Sequence, residues 1–203
     1  MGSELRKPFL DRVERALANS GFISLVHQKE SDRACFFSAN SVQRVLGSDD
    51  IDFARYYSPE IFAREIERVW RRTWQWVCRE EHIPEPGDYY VYEVAHLSFL
   101  VVRTEDRSIK AYYNSCLHRG TKLRATEGVG TATELRCPYH GWTWSLSGEL
   151  KRVPCAWDFP HVDAAKYRLP EVKVATWGGF VFINPDADAA PLAEYLDVVP
   201  EHF

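Results

Sequence analysis

Short apolar runs follow one another closely through the second half of the chain. The runs at 89–94 and 97–103 are separated by only two residues, and a polar segment at 104–108 separates them from a third. Runs rich in β-branched and aromatic residues and bounded by Gly, Pro and Ser favour strands. We therefore expect a mainly β protein with antiparallel sheets. The predicted strands cover residues 89–94, 97–103, 109–113, 134–137, 142–146, 149–153, 172–175 and 180–184.

Two earlier segments have helical rather than alternating spacing. The first, at 8–20, has a thin apolar stripe. The second begins at Ser58, a typical N-cap residue, and Pro59 follows at the first helical position. The second helix is predicted to carry one apolar face, formed by Phe62, Ile66, Val69 and Trp70. We expect residues 1–50 to be a helical or linker extension of a main domain at 51–203.

Composition narrows the class of protein. The 203 residues are 45% hydrophobic and 27% charged, which is ordinary for a globular chain. The 25 Lys and Arg against 29 Asp and Glu give a net charge of −4, which argues against a nucleic-acid partner. No apolar run reaches the roughly 18 residues of a membrane span, and no secretory signal is visible at the start. We expect a cytoplasmic protein without a membrane partner.

The five cysteines favour metal chemistry over disulfides. They are odd in number and widely scattered, which suits a reducing compartment. Two of them form mixed pairs with histidine: Cys116 with His118, and Cys137 with His140. The other three, Cys35, Cys78 and Cys155, are expected to be small buried hydrophobic residues.

Mixed pairs of this kind are compatible with either of two kinds of metal site. A structural zinc site uses the same residue types, but zinc fingers usually open with two cysteines and close with two histidines. In a Rieske [2Fe-2S] centre one iron binds two thiolates and the other binds two imidazoles, so each loop must supply one ligand to each iron. The mixed pairs meet that demand, and a zinc module stays as the less favoured alternative.

The segments around both pairs resemble a known family. Residues 113–120 (YNSCLHRG) and 137–143 (CPYHGWT) are similar to the two cluster-binding loops of the Rieske non-haem iron oxygenases, the large subunits of aromatic-ring-hydroxylating dioxygenases and related enzymes. Further similarity at 147–150 and 177–184 extends the resemblance over about residues 56–195.

The resemblance implies a fold and a ligand set. It implies a Rieske domain of antiparallel sheets with a small two-loop cluster-binding subdomain at about 112–155. Cys116 and Cys137 would bind one iron of a [2Fe-2S] cluster, and His118 and His140 the other. Backbone amides around the loop glycines would donate to the cluster sulfurs, and two aromatic rings would shield the cluster. The residues surrounding the ligands would be Arg119, Gly120, Tyr139, Gly141 and Trp142.

The resemblance also implies a role for this chain, which is electron transfer to a second iron. A reductase or ferredoxin would supply the electrons. They would pass on, through His140, to a mononuclear Fe(II) in a separate C-terminal catalytic domain of a homotrimer. That iron is held by two histidines and a carboxylate. Because the seven histidines here contain no pair with the family's spacing, we expect that catalytic domain to be absent from this chain, which contains no catalytic residue of its own.

Two functions therefore remain open. The chain is either the electron-transfer part of a mono- or dioxygenase or a stand-alone Rieske-type ferredoxin. The substrate is not predicted by either, because substrate contacts in this family lie in the catalytic domain.

Overall fold

A computed structural model describes residues 50–202. The predicted helix at 8–20 lies outside the described residues, and the proposed domain boundary near residue 50 stays a prediction. Residues from 52 onward form one compact unit, which is described here by itself. No helix in this part of the chain is long and apolar enough to cross a membrane.

The predicted helix after Ser58 is present. A 3₁₀ turn at Phe53–Tyr56 precedes α1, Pro59–Glu65, which continues into one π-helical turn at Ile66–Trp70. The Ser58 hydroxyl accepts a hydrogen bond from the Ile61 amide at 3.3 Å, as an N-cap should. The expected apolar face, however, is not buried by the described residues, since no side chain of either segment is buried.

Seven strands form one antiparallel sheet in the order β1-β10-β9-β4-β3-β2-β5. Neighbouring strands pair in regular register, with one irregularity in β1 between Trp76 and Cys78. The mainly β prediction is confirmed. The strands are β1 Gln75–Arg79, β2 Asp88–Val94, β3 Leu97–Arg103, β4 Ile109–Tyr113, β5 Gly128–Thr131, β9 Glu171–Trp177 and β10 Phe180–Asn184.

Three short strands form a second sheet in the order β6-β7-β8. They are β6 Leu135–Arg136, β7 Thr143–Trp144 and β8 Leu150–Arg152. Each is shorter than the predicted run that contains it. After β10 the chain forms two short helices, α2 Leu192–Leu196 and α3 Val199–His202, which the apolar pattern did not predict.

Two strands of the large sheet escaped prediction for local reasons. In β1 the register irregularity interrupts the alternation of buried and exposed residues. In β5 two of four residues are glycine, which strands usually avoid. Gly130 is needed there because a Cβ atom would lie 2.3 Å from both the ring carbon Cζ and the hydroxyl oxygen of Tyr89 on the paired strand β2.

Strand β3 of the large sheet is buried on both faces. Leu100 and Val102 pack toward the small sheet, in one core with Trp144. Phe99 and Val101 pack into a second core on the opposite face. A strand buried on both sides is expected to be continuously apolar, as β3 is. The two cores therefore lie on opposite sides of β3.

Tyr112 joins the two sheets. It lies on β4 and is fully buried, and its hydroxyl donates to the Leu146 carbonyl at 3.0 Å. Its ring lies against Gly148, where an added Cβ would come within 2.7 Å of a ring carbon. Gly148 also has a φ of +81°, a left-handed conformation that favours glycine. The contact holds the β7–β8 turn against the strand that leads to Cys116.

Gly148→Ala should lower the free energy of unfolding by about 3 kcal/mol. The left-handed backbone contributes about 1–2 kcal/mol of this, and overpacking against Tyr112 contributes about 1–3 kcal/mol. Urea unfolding measures the change. Gly178→Ala is the matched control, because Gly178 has a φ of +59° but its nearest neighbouring atom is 3.7 Å away. It should cost only about 1 kcal/mol, and equal losses in both variants would show that the ring contact contributes nothing.

Candidate metal centre

The two predicted ligand loops have the same backbone structure. In the first, the Cys116 amide donates to the Thr121 carbonyl at 2.9 Å, and the Gly120 amide donates to the Cys116 carbonyl at 2.8 Å. In the second, the Cys137 amide donates to the Trp142 carbonyl at 2.8 Å, and the Gly141 amide to the Cys137 carbonyl at 3.1 Å. Each loop is therefore one closed turn that begins at a cysteine.

A glycine closes each turn. Gly120 and Gly141 have φ values of +73° and +71°, which other residues adopt only with strain. Their own amides donate to the two cysteine carbonyls, and donation to the cluster sulfurs by other amides around these glycines stays a prediction. The role of these glycines is thus to shape the turns.

Asn114 and Arg124 attach the first loop to its surroundings. The Asn114 side chain is buried, donates to the Arg124 carbonyl at 2.7 Å and accepts from the Arg124 amide at 3.0 Å. The Arg124 guanidinium in turn donates to the Glu134 and Arg136 carbonyls, at 3.0 and 3.1 Å. These bonds connect the first loop to β6, which leads directly to Cys137.

The structural roles of Asn114 and Arg124 were not predicted from the sequence. Asn114 lies two residues before Cys116, so its position could have drawn attention. Nothing in the local pattern marks Arg124, because its contacts join segments that are distant in sequence.

The two cysteines of the loops lie side by side in the interior. Each is only 3% exposed, and both are free thiols. Burial raises the pKa of the Cys116 thiol, and the adjacent Cys137 thiol raises that pKa further. The backbone amides of His118 and Arg119, which face the Cys116 sulfur, lower it. Two adjacent thiolates in the interior are stable only beside positive charge, which a bound metal supplies.

The two histidines lie together at the rim of the same site. Their ring centroids are 4.8 Å apart. His118 is half-buried and stacks in parallel on Trp142, with 5.1 Å between ring centroids. Burial lowers the pKa of His118, and the positive charges of His140 and Arg119 lower it further. A neutral imidazole is the form that binds metal.

His140 occupies the more open position. It is exposed, whereas Trp142 is 2% exposed and packs against Phe159 and His118. Tyr139, predicted to shield the cluster with Trp142, is 60% exposed, although its ring centroid lies 3.6 Å from that of His140. The two imidazoles thus differ, since one is covered and the other is open.

A cavity of about 330 Å³ adjoins the imidazoles. It is lined by His118, Arg119, His140, Trp142, Pro154, Cys155 and Phe159. Of the predicted surrounding residues, Arg119 and Trp142 line the cavity, Gly120 and Gly141 close the turns, and Tyr139 contacts His140.

The grouping of the four side chains distinguishes the two metal hypotheses. Within residues 50–202, no three His, Cys, Asp or Glu side chains converge as ligands of a single ion. A Cys₂His₂ zinc site would bring all four around one point. A thiol pair in the interior and an imidazole pair at the rim instead suit two irons, each with two protein ligands. The residues therefore fit a Rieske cluster better than zinc.

The other two described cysteines differ from each other. Cys78 is buried as expected. Cys155 was expected to be buried as well, and this is wrong: it is exposed, in a left-handed conformation with φ of +53°, and it lines the cavity. It lies immediately before the short 3₁₀ helix Ala156–Asp158.

Comparison with known families agrees with this geometry. Residues 73–168 match the family described as Rieske [2Fe-2S] domain. This chain belongs to the Rieske [2Fe-2S] domain family. The cofactor of such a domain is a [2Fe-2S] cluster. A second, short match covers residues 7–43, which lie outside the described part, and is to the EvpB/VC_A0108 tail sheath N-terminal domain.

The relatives of this Rieske domain are oxygenase subunits. The alpha subunit of chlorobenzene dioxygenase from Cupriavidus sp. (strain PS12) is 37% identical over 142 residues, which are 70% of this chain and 31% of that subunit. The chain thus spans about a third of the length of that curated relative.

Solved structures give the same assignment. Naphthalene 1,2-dioxygenase from Rhodococcus sp. bound to indole has a TM-score of 0.67 and 34% identity, covering 72% of this chain and 34% of its own. A quaternary ammonium Rieske monooxygenase has a TM-score of 0.68 and 31% identity, covering 73% and 40% respectively. Both the predicted family and the predicted fold are confirmed.

The different environments of Cys78 and Cys155 predict different reactivity. Burial raises the pKa of Cys78 to about 12, so at pH 8 only about one thiol in ten thousand is ionised, and the thiolate is the reactive form. Iodoacetamide applied to the native protein at pH 8 should therefore modify Cys155 and leave Cys78 intact, as measured by peptide mass spectrometry. In denaturant both should react. Equal labelling of both in the native protein would contradict the burial of Cys78.

Proposed function

We propose that Cys116 and Cys137 bind one iron of the [2Fe-2S] cluster and that His118 and His140 bind the other. The observation that carries this assignment is the geometry of the two loops, which place two thiols in the interior and two imidazoles at the rim. The matched turns support it, because they give the two cysteines equivalent positions. The amides facing the Cys116 sulfur would stabilise its thiolate form.

We further propose that the domain transfers electrons for an oxygenase. When bound, a cluster of this type accepts and donates one electron at a time. Trp142 and Phe159 exclude water from the His118 side and hold its ring in one orientation. His140 is the imidazole exposed at the surface, so its ring edge offers the shortest route between the interior of the domain and a partner.

The remainder of the reaction belongs to other parts of the assembly. A reductase or ferredoxin would supply electrons, and a mononuclear Fe(II) in a catalytic domain would receive them. The related structure of a quaternary ammonium Rieske monooxygenase is described as giving insight into inter-subunit electron transfer in that enzyme. We propose the same route here, from this domain to the catalytic domain of a neighbouring subunit in a homotrimer.

We assign no substrate to this domain. One relative is named for chlorobenzene dioxygenation and another for carnitine oxidation, and both match about 70% of this chain. Because the same Rieske domain accompanies such different substrates, substrate preference would be set in the part of the relatives that this chain does not match. The stand-alone ferredoxin alternative is not favoured, since the relatives are oxygenase subunits.

Cys137→Ser tests the ligand assignment against its matched control, Cys155→Ser. The purified full chain should contain about two irons and two acid-labile sulfides, with the visible absorption of the cluster. Cys137→Ser should lose at least nine-tenths of both, because one iron loses half of its protein ligands. Cys155→Ser should retain them, since Cys155 lines the cavity but is not among the four proposed ligands.

Circular dichroism keeps this test informative if Cys137→Ser is unstable. A folded β spectrum without iron and sulfide supports the assignment. Full retention of the cluster in Cys137→Ser, its loss in Cys155→Ser, or zinc without sulfide in the parent protein would each overturn it.

A further inference from the structure

The Arg124 side chain contacts two parts of the domain that are distant in sequence. Its guanidinium donates to the Glu134 carbonyl at 3.0 Å and to the Arg136 carbonyl at 3.1 Å, on the segment that leads to Cys137. The guanidinium carbon also lies 5.2 Å from the centroid of the Tyr89 ring on β2, a favourable arrangement for a cation. The side chain therefore connects the second ligand loop to the large sheet.

The backbone at the start of each ligand loop is bonded to the same residue. The peptide group before the second turn is held at both ends: the Arg136 carbonyl accepts from Arg124, and the Cys137 amide donates across the turn at 2.8 Å. Ahead of the first turn, the Asn114 side chain bonds to both the amide and the carbonyl of Arg124. Asn114 lies two residues before Cys116. Arg124 is thus the direct link between the two loops.

The positive charge of Arg124 has no carboxylate partner in the described part of the chain. By contrast, Arg152 pairs with the Glu134 carboxylate at 3.5 Å. Arg124 is also half-buried, so its charge is screened by salt less than that of an exposed residue. The centre therefore has an uncompensated cation attached to both of its loops.

We propose that Arg124 is a positioning residue of the metal centre, which holds the two ligand loops at the separation that the cluster needs and whose positive charge favours the reduced cluster. This inference rests on the proposed function, because it concerns the same four ligands. When the cluster gains one electron from a reductase or ferredoxin, its charge becomes more negative by one, and no bond forms or breaks. A nearby cation stabilises the more negative form.

A guanidinium suits both parts of this role. It is planar, permanently charged and able to donate to several acceptors in a fixed geometry, whereas lysine presents a compact charge on a flexible chain. Glutamine is neutral and has a single amide group as donor. Arg124→Lys therefore keeps the charge and removes the rigid bridge, while Arg124→Gln removes both.

The first measurement is the release of iron from the cluster-loaded full chain to excess EDTA, followed by the loss of visible absorption. Arg124→Lys and Arg124→Gln should both release iron about tenfold faster than the parent protein. The physical reason is that groups that orient metal ligands commonly contribute about 10–100-fold to metal affinity.

The second measurement is a redox titration of the same proteins, followed by electron paramagnetic resonance. At the midpoint potential of the parent, Arg124→Gln should have a ratio of reduced to oxidised cluster about tenfold lower, which equals a fall of about 59 mV in its own midpoint. Arg124→Lys should stay within about twofold of the parent ratio, because the charge is retained.

Arg64→Gln is the control for loss of charge alone. Arg64 lies on α1, is exposed and has no ion-pair partner among the described residues. The variant removes the same charge as Arg124→Gln without touching either ligand loop. Its iron release and its ratio of reduced to oxidised cluster should both stay within about twofold of the parent, since exposed charges are screened.

The possible outcomes are distinct. Faster iron release from both Arg124 variants, with a lower potential in Arg124→Gln alone, supports the inference. Parent-like release from Arg124→Lys overturns it, and so do equal potentials in the two Arg124 variants or an equal fall in Arg64→Gln.

Circular dichroism covers an Arg124 variant that binds no cluster. A folded β spectrum without iron supports the inference, whereas an unfolded chain in both variants overturns it by assigning Arg124 to the stability of the fold. Absence of the cluster from the parent protein would instead refute the proposed function, and the iron and sulfide content of the parent shows this separately.

Discussion

The surrounding structure has to hold two buried thiols side by side. Thiolates in the interior are costly unless a metal compensates their charge, so both sulfurs must lie where one metal ion can contact them. Two matching turns, each closed by a left-handed glycine, provide this placement for Cys116 and Cys137. The histidines follow from the same turns. They come two residues after the first cysteine and three after the second, and both emerge at the rim.

The scaffold fixes the positions of the two ligand loops relative to each other. Tyr112 connects β4 to the turn after β7, and Arg124 connects the first loop to the strand before the second cysteine. Both contacts use backbone carbonyls as acceptors, so they position the loops themselves rather than single side chains. Strand β3 of the large sheet packs into a separate core on each of its faces. Preorganised loops of this kind limit rearrangement around the centre when its charge changes by one electron.

Local patterns predicted much of this arrangement, and the missing parts have physical causes. The mixed Cys and His pairs identified the candidate ligands because each pair is a short motif. Apolar runs rich in β-branched and aromatic residues identified most strands, but this signal failed at the irregular β1 and at the glycine-rich β5, where Gly130 is required by Tyr89 of the paired strand. The hydrogen bonds of Arg124 are tertiary contacts, and Cys155 lies in a loop. The periodicity of the sequence carries no information on either.

In the proposed ligand arrangement, the two imidazoles share one iron while the two thiolates share the other. Pulsed electron paramagnetic resonance of the reduced protein, prepared with ¹⁵N-labelled histidine, tests it most directly. We expect couplings from two labelled nitrogens, of different size because His118 is stacked on Trp142 while His140 is exposed. Coupling from only one nitrogen, or from none, would contradict it.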